Sequence, residues 1–367
     1  MFSYCSRMTH RSNQRLASLS GRGATINPDG RFEAGQRQAE DDGWGPPDDD
    51  APALKTETFA DTSRTIIARN TSPDIGFDRS INPYRGCEHG CIYCYARPSH
   101  NYLGLSSGQD FESKIFVKHD AANLLRQELA RPGYRPAVLA LGANTDPYQP
   151  IERRLRITRG ILEVLLETRH PVTIVTKSAA IVRDIDLLER LAGMGLVHVD
   201  ISITSLDAGL ARRMEPRAPT PERRFDAIRL LRRAGVEVGV NMAPVIPGLN
   251  DHEIEAMVAR AVAAGAGHVN HILVRLPHDV KELFEAWLET HFPDRAARVL
   301  SLIRQCRDGR LNDPDFKSRM RGSGPFAELI HRRFAVAIAK AGLTRRRYPD
   351  RVDLFRPPRL DGQMSLL

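Results

Sequence analysis

Short apolar runs alternate with amphipathic stretches along the middle of the chain. Six runs are typical of buried strands, and they cover 79–84, 137–142, 172–176, 197–204, 236–243 and 269–274. Between them, apolar residues recur at helical intervals over 120–131, 152–168, 181–193, 221–234 and 252–264. This alternation predicts parallel βαβ units with helices outside the sheet. A barrel and an open doubly wound sheet fit the pattern equally, and both place chemistry at the carboxyl ends of the strands.

The flanks of this region have a different composition. Residues 1–60 are rich in Arg, Ser, Gly, Asp and Pro and lack apolar periodicity, which predicts a disordered leader. Residues 61–280 contain the alternating pattern and are predicted to form the core domain, and 281–347 are predicted to form a basic helical extension. Residues 348–367 contain three prolines and predict an extended C-terminal tail.

Charge and hydropathy narrow the classes of function. The chain has 367 residues and a net charge of +8 at pH 7, which permits contact with nucleic acid or another polyanion. Residues 295–347 hold 14 Lys or Arg against 4 Asp or Glu. A nucleic-acid surface and a solvated helix face explain this excess equally well. No apolar run reaches the roughly 18 residues of a transmembrane helix, so no membrane partner is expected.

Three of the five cysteines lie close together after the first predicted strand. Cys87, Cys91 and Cys94 have the spacing C-x3-C-x2-C, which lets three thiolates on one loop bind three corners of a 4Fe–4S cluster. Cys5 and Cys306 are distant in sequence, so the fourth iron is expected to keep an open position. A zinc site is the alternative, with His89 or His100 as a fourth ligand. Clustered free thiols indicate a reducing compartment, which predicts a cytoplasmic protein.

The cysteine segment also resembles a known family signature. Its sequence is Arg85-Gly86-Cys87-Glu88-His89-Gly90-Cys91-Ile92-Tyr93-Cys94. C-x3-C-x-aromatic-C, with Tyr93 as the aromatic residue, resembles the signature of the radical S-adenosylmethionine superfamily. The longer string through Leu105 resembles a bacterial subgroup related to spore photoproduct lyase. The resemblance covers about residues 65–340. It implies an α/β fold, a partial (β/α)6 TIM-like barrel.

The same resemblance implies a chemistry and a cofactor set. The reduced 4Fe–4S cluster cleaves S-adenosylmethionine, and the resulting 5′-deoxyadenosyl radical abstracts hydrogen from a substrate. A one-electron reductant of flavodoxin or ferredoxin type is implied as a partner. Spore photoproduct lyase uses a cysteine hydrogen donor near the second-strand region. No cysteine occurs there in this chain, which argues against that particular reaction and leaves the catalytic residues unassigned.

Candidate contacts to S-adenosylmethionine lie at predicted strand ends. The family often has a Gly-Gly-Glu-like motif after the second strand, and this chain departs from it. An Asx-type turn explains that segment equally well. In the fourth strand, alternation places Asp200, Ser202 and Thr204 on one face. The candidates are Tyr93, Asn144, Thr145, Asp146, Ser178, Ser202, Thr204 and Arg217.

Two classes of function remain open. The first is a lyase-like radical S-adenosylmethionine enzyme, with nucleic acid as a candidate substrate in a DNA-repair-like reaction. The second is a DNA-associated binding factor with a structural or redox-sensing iron–sulfur cluster. The terminal segment Gln363-Met364-Ser365-Leu366-Leu367 resembles the peptides that bind the bacterial DNA sliding clamp, which predicts recruitment by that partner.

Overall fold

Six parallel strands, neighbours in chain order, form the centre of the protein. The computed structural model describes residues 21–32, 54–343 and 351–358. The strands of the described chain are β1 (Glu57–Ala60), β2 (Ile67–Arg69), β3 (Arg79–Ile81), β4 (Tyr84–Arg85), β5 (Lys114–Val117), β6 (Leu139–Leu141), β7 (Val172–Thr176), β8 (Val197–Ser202), β9 (Glu237–Val245) and β10 (His268–Leu273).

The α-helices cover the outside of the sheet and the C-terminal region. They are α1 (Gln109–Ser113), α2 (Ala121–Leu129), α3 (Glu152–Leu155), α4 (Ile157–Glu167), α5 (Ile185–Gly193), α6 (Ala208–Met214), α7 (Pro221–Arg233), α8 (Ile254–Ala263), α9 (Val280–His291), α10 (Pro293–Gln305) and α11 (Gly324–Lys340). Short 3-10 helices cover Arg97–Leu103, Ala179–Asp184, Asp251–Glu253 and Val352–Leu354.

The large sheet has the strand order β10-β9-β8-β7-β6-β3-β2. Strands β3 and β6 to β10 are parallel, and β2 pairs antiparallel with β3. A smaller sheet has the order β1-β5-β4. Within the described residues, β10 and β2 are the edges of the large sheet, so the six βα units form a partial barrel. The fold class predicted from the sequence, a partial (β/α)6 TIM-like barrel, is confirmed.

One face of each central strand packs on the helices. Val199 and Ile201 of β8 are fully buried and belong to the same apolar cluster as Phe225 and Ile228 of α7. The even-numbered residues of β8 point to the opposite face, which is the interior of the barrel. Burying each large aliphatic side chain contributes about 1.5–3 kcal/mol, so the sheet–helix layer is the main source of stability.

The helix predicted over 152–168 is interrupted. Arg156 has φ 52°, in the left-handed region, and separates α3 from α4. Buried Glu152 accounts for the break, because its carboxylate accepts the backbone N–H groups of Ile157 and Thr158, each at 3.1 Å. These bonds cap the first turn of α4 from inside the fold. The apolar periodicity continued through the break and therefore could not reveal it.

The disordered leader predicted over residues 1–60 is wrong for the parts that the structure describes. Residues 21–32 lie against the protein, with Ala24 and Ile26 buried in an apolar cluster that also contains Cys91 and Tyr93. Residues 57–60 form β1, which pairs with β5. The remainder of that leader, residues 1–20 and 33–53, lies outside the described residues.

The C-terminal region continues as helices α9, α10 and α11 up to Lys340. Phe355 then packs against Tyr134 and His170, with ring centroids 5.5 and 5.4 Å apart. The backbone N–H of Arg356 donates to the Thr168 carbonyl oxygen at 2.9 Å. Residues 351–358 therefore lie on the barrel rather than extending from it, which corrects the first part of the predicted tail. The segment Gln363–Leu367 lies outside the described residues. No described helix is both long and apolar enough to cross a membrane.

Candidate active site

The three clustered cysteines lie on one tightly bonded loop that follows β4. Cys87 and Cys91 are each 7% exposed, Cys94 is half-buried, and all three are free thiols. Within the loop, Gly90 N–H donates to the Cys87 carbonyl at 3.3 Å and Cys94 N–H donates to the Cys91 carbonyl at 3.2 Å. The Cys87 N–H donates to the Phe111 carbonyl at 2.9 Å. The loop is thus fixed to its surroundings through its backbone.

A buried ion pair stands behind this loop. The Arg97 guanidinium lies 2.5 Å from the Glu112 carboxylate, and both side chains are inaccessible to solvent. Arg97 Nε also donates to the Cys91 carbonyl oxygen at 2.8 Å. Charge-assisted bonds of this kind hold a backbone turn firmly. Sequence reasoning did not identify Arg97 or Glu112 as functional residues.

The described N-terminal segment closes over the same place. Glu112 accepts the backbone N–H groups of Gly23 and Ala24, each at 2.9 Å. A side chain at position 23 would place its Cβ 1.8 Å from the Gly90 carbonyl oxygen. Glycine at this position is therefore what allows the segment to lie directly on the cysteine loop.

Burial makes Cys87 and Cys91 poor acids. Burial raises the pKa of the Cys91 thiol to about 12 and the Glu215 and Cys94 charges add to this effect, although the Lys177 ammonium opposes it. Burial and the nearby Asp146 carboxylate raise the pKa of Cys87 well above its ordinary value. Three adjacent thiolates need positive charge beside them, which a metal cluster supplies. This donor set therefore fits an iron–sulfur cluster.

The two histidines considered as zinc ligands both have protein partners. His89 Nδ1 lies 3.3 Å from Asp146 Oδ2. His100 Nε2 lies 3.0 Å from the Lys114 carbonyl oxygen, and its ring packs edge-on against Phe111. His89 is thus engaged by Asp146, whereas His100 Nδ1 is buried without a hydrogen-bond partner among the described residues.

Tyr93 belongs to a buried polar network at the carboxyl end of β8. Its hydroxyl lies 3.0 Å from Thr204 Oγ1 and donates to Glu215, while Thr204 donates to Glu215 at 2.5 Å. Arg224 pairs with Glu215 and donates to the Ser202 carbonyl oxygen at 2.8 Å. Although burial raises it, the Arg224 and Lys177 charges hold the pKa of Glu215 at about 2. The predicted residues Tyr93, Ser202 and Thr204 thus meet here.

Glu215 and Arg224 were missed by sequence reasoning, although one signal was available. Arg224 precedes Ile228 and Leu231 on the buried face of α7. A charged residue on the apolar face of a helix needs a buried partner. That pattern would have indicated an internal ion pair without naming the partner.

In the segment after β6, the side chains of Thr145 and Asp146 form hydrogen bonds with other parts of the protein. Asp146 accepts Thr176 Oγ1 at 2.6 Å, Lys177 N–H at 2.7 Å and Tyr148 N–H at 2.9 Å. Burial opposes it, but His89 and these bonds hold the pKa of Asp146 at about 2. The Thr145 hydroxyl donates to the Tyr84 carbonyl oxygen at 2.9 Å. These two side chains fasten the ends of neighbouring strands.

The other predicted contacts have varied surroundings. Asn144 is exposed at the same edge of the sheet. Ser178 Oγ accepts the Ala180 N–H at 3.2 Å and caps the following 3-10 helix. Arg217 lies 3.2 Å from Glu88 Oε1 and donates to Thr56 Oγ1 at 3.2 Å. Arg217 therefore braces the cysteine loop through Glu88.

Lys177 is the cation that faces the centre of the site. Its ammonium lies 5.8 Å from the centroid of the Tyr93 ring. Burial works against the charge, but the Cys91 and Glu215 charges raise the pKa of Lys177. Of the residues at the end of the third predicted strand, only the neighbouring Ser178 was predicted from the sequence as a contact, because a strand-end lysine has no distinctive sequence pattern.

Two arginines border the open side of the site. Tyr95 is 44% exposed, and the Arg275 guanidinium lies 4.5 Å from its ring centroid. The Tyr95 hydroxyl donates to the Ala143 carbonyl oxygen. Arg319 pairs with Asp74 at 2.5 Å, and burial together with the Arg319 charge lowers the pKa of Arg275. Arg275, Arg319 and Tyr95 are called the arginine rim below.

Comparisons with known proteins agree with this geometry. The family model described as Radical SAM superfamily matches residues 81–261. An uncharacterized protein of Mycobacterium tuberculosis is 36% identical over 247 residues, which cover 67% of this chain and 72% of that protein. A protein of Pseudomonas phage M6 named radical SAM Nalpha-GlyT isomerase is 26% identical over 193 residues, covering 51% of this chain and 37% of that protein.

Solved structures show the same fold. A spore photoproduct lyase variant with bound AdoMet and dinucleoside spore photoproduct superposes with a TM-score of 0.51. The alignment covers 77% of this chain and 78% of that one at 15% sequence identity. At this identity the likeness concerns the fold.

Proposed function

The chain belongs to the radical SAM superfamily, and from this premise we propose that Cys87, Cys91 and Cys94 bind the 4Fe–4S cluster of an enzyme that acts on nucleic acid. Enzymes of this family use a 4Fe–4S cluster and S-adenosylmethionine and need a one-electron reductant. When bound, these groups supply radical chemistry that abstracts a hydrogen atom from the substrate. The observation that carries the ligand assignment is the convergence of three buried thiols on one backbone-bonded loop.

Lys177 is the residue that we assign to the carboxylate of S-adenosylmethionine. It is a half-buried cation whose charge interacts with both Cys91 of the cysteine loop and Glu215 of the Tyr93 network. Arg217 was the sequence-based candidate, but its guanidinium already pairs with Glu88. Ser202 and Thr204, at the end of β8, remain candidates for the ribose side of the cofactor. Asn144 remains a candidate for its amino group, since its side chain is exposed.

The buried network gives the site a fixed shape before any cofactor binds. Glu215 is held ionised between Arg224 and Lys177 and accepts hydrogen bonds from Tyr93 and Thr204. Preorganised dipoles of this kind orient a bound group without further rearrangement. Tyr93 therefore acts as a positioning residue, because its hydroxyl is committed to Glu215.

The arginine rim supports the assignment of an anionic substrate. Arg275 lies over the Tyr95 ring and close to Arg319, whose guanidinium is also paired with Asp74, and we take this edge as the side from which the substrate enters. Arginine recognises phosphate through a fork of donors, and the adjacent phenol ring offers a surface on which a base can stack. The basic excess in the sequence of residues 295–347 is a further reason to expect a polyanionic substrate. The dinucleoside bound by the structurally similar spore photoproduct lyase is consistent with such a substrate.

The direct test has two parts. Anaerobic incubation of reconstituted protein with dithionite and S-adenosylmethionine should yield 5′-deoxyadenosine, and Cys91→Ala should yield none. Binding of single-stranded DNA and RNA should weaken steeply with salt. Arg275→Ala combined with Arg319→Ala should weaken binding at least tenfold, whereas Arg126→Ala, on an outer helix, should not.

The outcomes separate this proposal from the binding-factor alternative. A stable cluster without 5′-deoxyadenosine formation would favour a structural or redox-sensing role. Unchanged nucleic-acid affinity in the doubly substituted rim variant would remove the proposed entry path. A reductant of flavodoxin or ferredoxin type and docking of Gln363–Leu367 on the DNA sliding clamp stay as further proposals.

A further inference from the structure

Two histidines and an aspartate meet inside the barrel. His268 Nε2 lies 2.8 Å from Asp200 Oδ1, and His198 Nε2 lies 3.5 Å from the same oxygen. The three ligand atoms all lie within 4.8 Å of one another, and all three residues are buried. The two imidazole rings are 4.8 Å apart between centroids.

A glycine in strand β9 allows the side chains of Asp200 and His268 to approach each other. Asp200 of β8 and His268 of β10 are both in register with Gly239 of the intervening strand β9. A Cβ on residue 239 would lie 2.0 to 2.6 Å from three atoms of the His268 ring. Glycine in the interior of a strand is unfavourable by itself and often marks a close approach of another group. Here the missing side chain leaves the space through which the imidazole of the edge strand reaches Asp200.

The chemistry of the trio suits a metal ion. Two neutral imidazoles and one carboxylate are a common ligand set for zinc and other divalent transition metals. His198 Nδ1 is buried without a hydrogen-bond partner, and Glu237 Oε2 lies 3.9 Å from it. A carboxylate behind a ligating histidine is the usual outer-shell arrangement.

We infer that His198, Asp200 and His268 bind one divalent transition-metal ion, separately from the iron–sulfur cluster. Asp200 lies two residues and His198 four residues before Ser202, so at about 3.3 Å per residue the ion sits about 7–13 Å from the carboxyl end of β8. The ion joins edge strand β10 to β8 across β9. Its role is to fix the edge of a partial barrel, where no further strand of the described chain pairs.

The test uses the full-length reconstituted protein and Zn²⁺ as the probe. Elemental analysis after incubation with Zn²⁺ and desalting should find one zinc per chain in addition to the iron. Asp200→Asn and His268→Gln should each lose that zinc while keeping the iron content. His170→Gln, which alters a buried histidine elsewhere in the barrel, should keep both. The iron content controls for folding in every variant.

The wild-type protein alone can also overturn the inference. Zinc X-ray absorption should show a first shell of nitrogen and oxygen with imidazole scattering. A shell of sulfur would place the zinc on cysteines instead. Absence of an equivalent of zinc from the wild type, or equal zinc in Asp200→Asn, would mean that the trio is a hydrogen-bonded cluster without a metal. Because the readout is metal content, failure here is distinguishable from failure of the proposed enzymatic activity.

Discussion

The substitution Glu112→Gln should weaken two contacts of the cysteine loop at once, one with Arg97 and one with the N-terminal segment around Gly23. The Glu112 carboxylate balances the buried Arg97 charge and accepts the N–H groups of Gly23 and Ala24. Glutamine keeps the size of the side chain but leaves the guanidinium without its counter-ion. Breaking a buried ion pair on one side costs about 3–5 kcal/mol. With about 2.1 cal/mol/K of unfolding entropy per residue and roughly 300 ordered residues, the thermal midpoint should fall by about 5–8 °C.

The assay is thermal unfolding under anaerobic conditions, followed by iron quantification after brief exposure to air. We expect Glu112→Gln to lose iron faster than the wild type, because the segment around Gly23 no longer lies on the loop. Glu163→Gln is the matched control, since Glu163 pairs with Arg159 on the surface and such pairs contribute at most about 1 kcal/mol. If both variants unfold within 1 °C of the wild type, Glu112 does not hold the loop in the way the buried geometry indicates.

Three further predictions can be tested on the same material. Burial lowers the pKa of His170 to about 4, below its unfolded value of 6.5. The unfolded state therefore binds a proton that the folded state does not, and the protein loses stability as the pH falls from 6.5 to 4. His170→Gln should flatten the pH dependence of urea unfolding in that window. Lys177→Met should weaken S-adenosylmethionine binding at least tenfold by calorimetry, whereas Arg217→Ala should change it less than threefold. Truncation after Gly362 should abolish binding to the DNA sliding clamp in a pull-down, and undiminished capture would exclude that tail as the contact.

The barrel was predictable because its signal is local and repeated. Each of the six predicted strands corresponds to β3 or β6 to β10, and β7 has the predicted bounds of 172–176. Apolar runs separated by amphipathic helices leave few alternative parallel arrangements. The N-terminal segment was misjudged because its order depends on a distant partner. Gly23 and Ala24 bond to Glu112, almost 90 residues later, and no local pattern reports such a contact.

The residues of the candidate site also differ in whether a local sequence pattern can reveal them. The cysteine loop is a contiguous motif, so its spacing alone indicates a cluster site. The residues around it are brought together by topology: Lys177 follows β7, Glu215 follows α6, and Arg224 lies on α7. Their role depends on charges meeting in space, and a sequence gives no distance between residues so far apart. Asp146 shows the converse, because a polar strand-end residue resembles a ligand in sequence but is saturated by Thr176 and two backbone N–H groups.

The polar face of β8 links these observations into one arrangement. Alternation places His198, Asp200, Ser202 and Thr204 along a single row inside the barrel. From the sequence, Ser202 and Thr204 of this row were predicted as contacts to S-adenosylmethionine. In the structure the row divides: Thr204 joins the Tyr93 network at the carboxyl end, while Asp200 is held by His198 and His268 deeper in the barrel. Since an inward polar residue requires a partner wherever it lies, the lower half of β8 fits the metal site proposed above, and our proposal leaves the upper half, together with Lys177, for the cofactor.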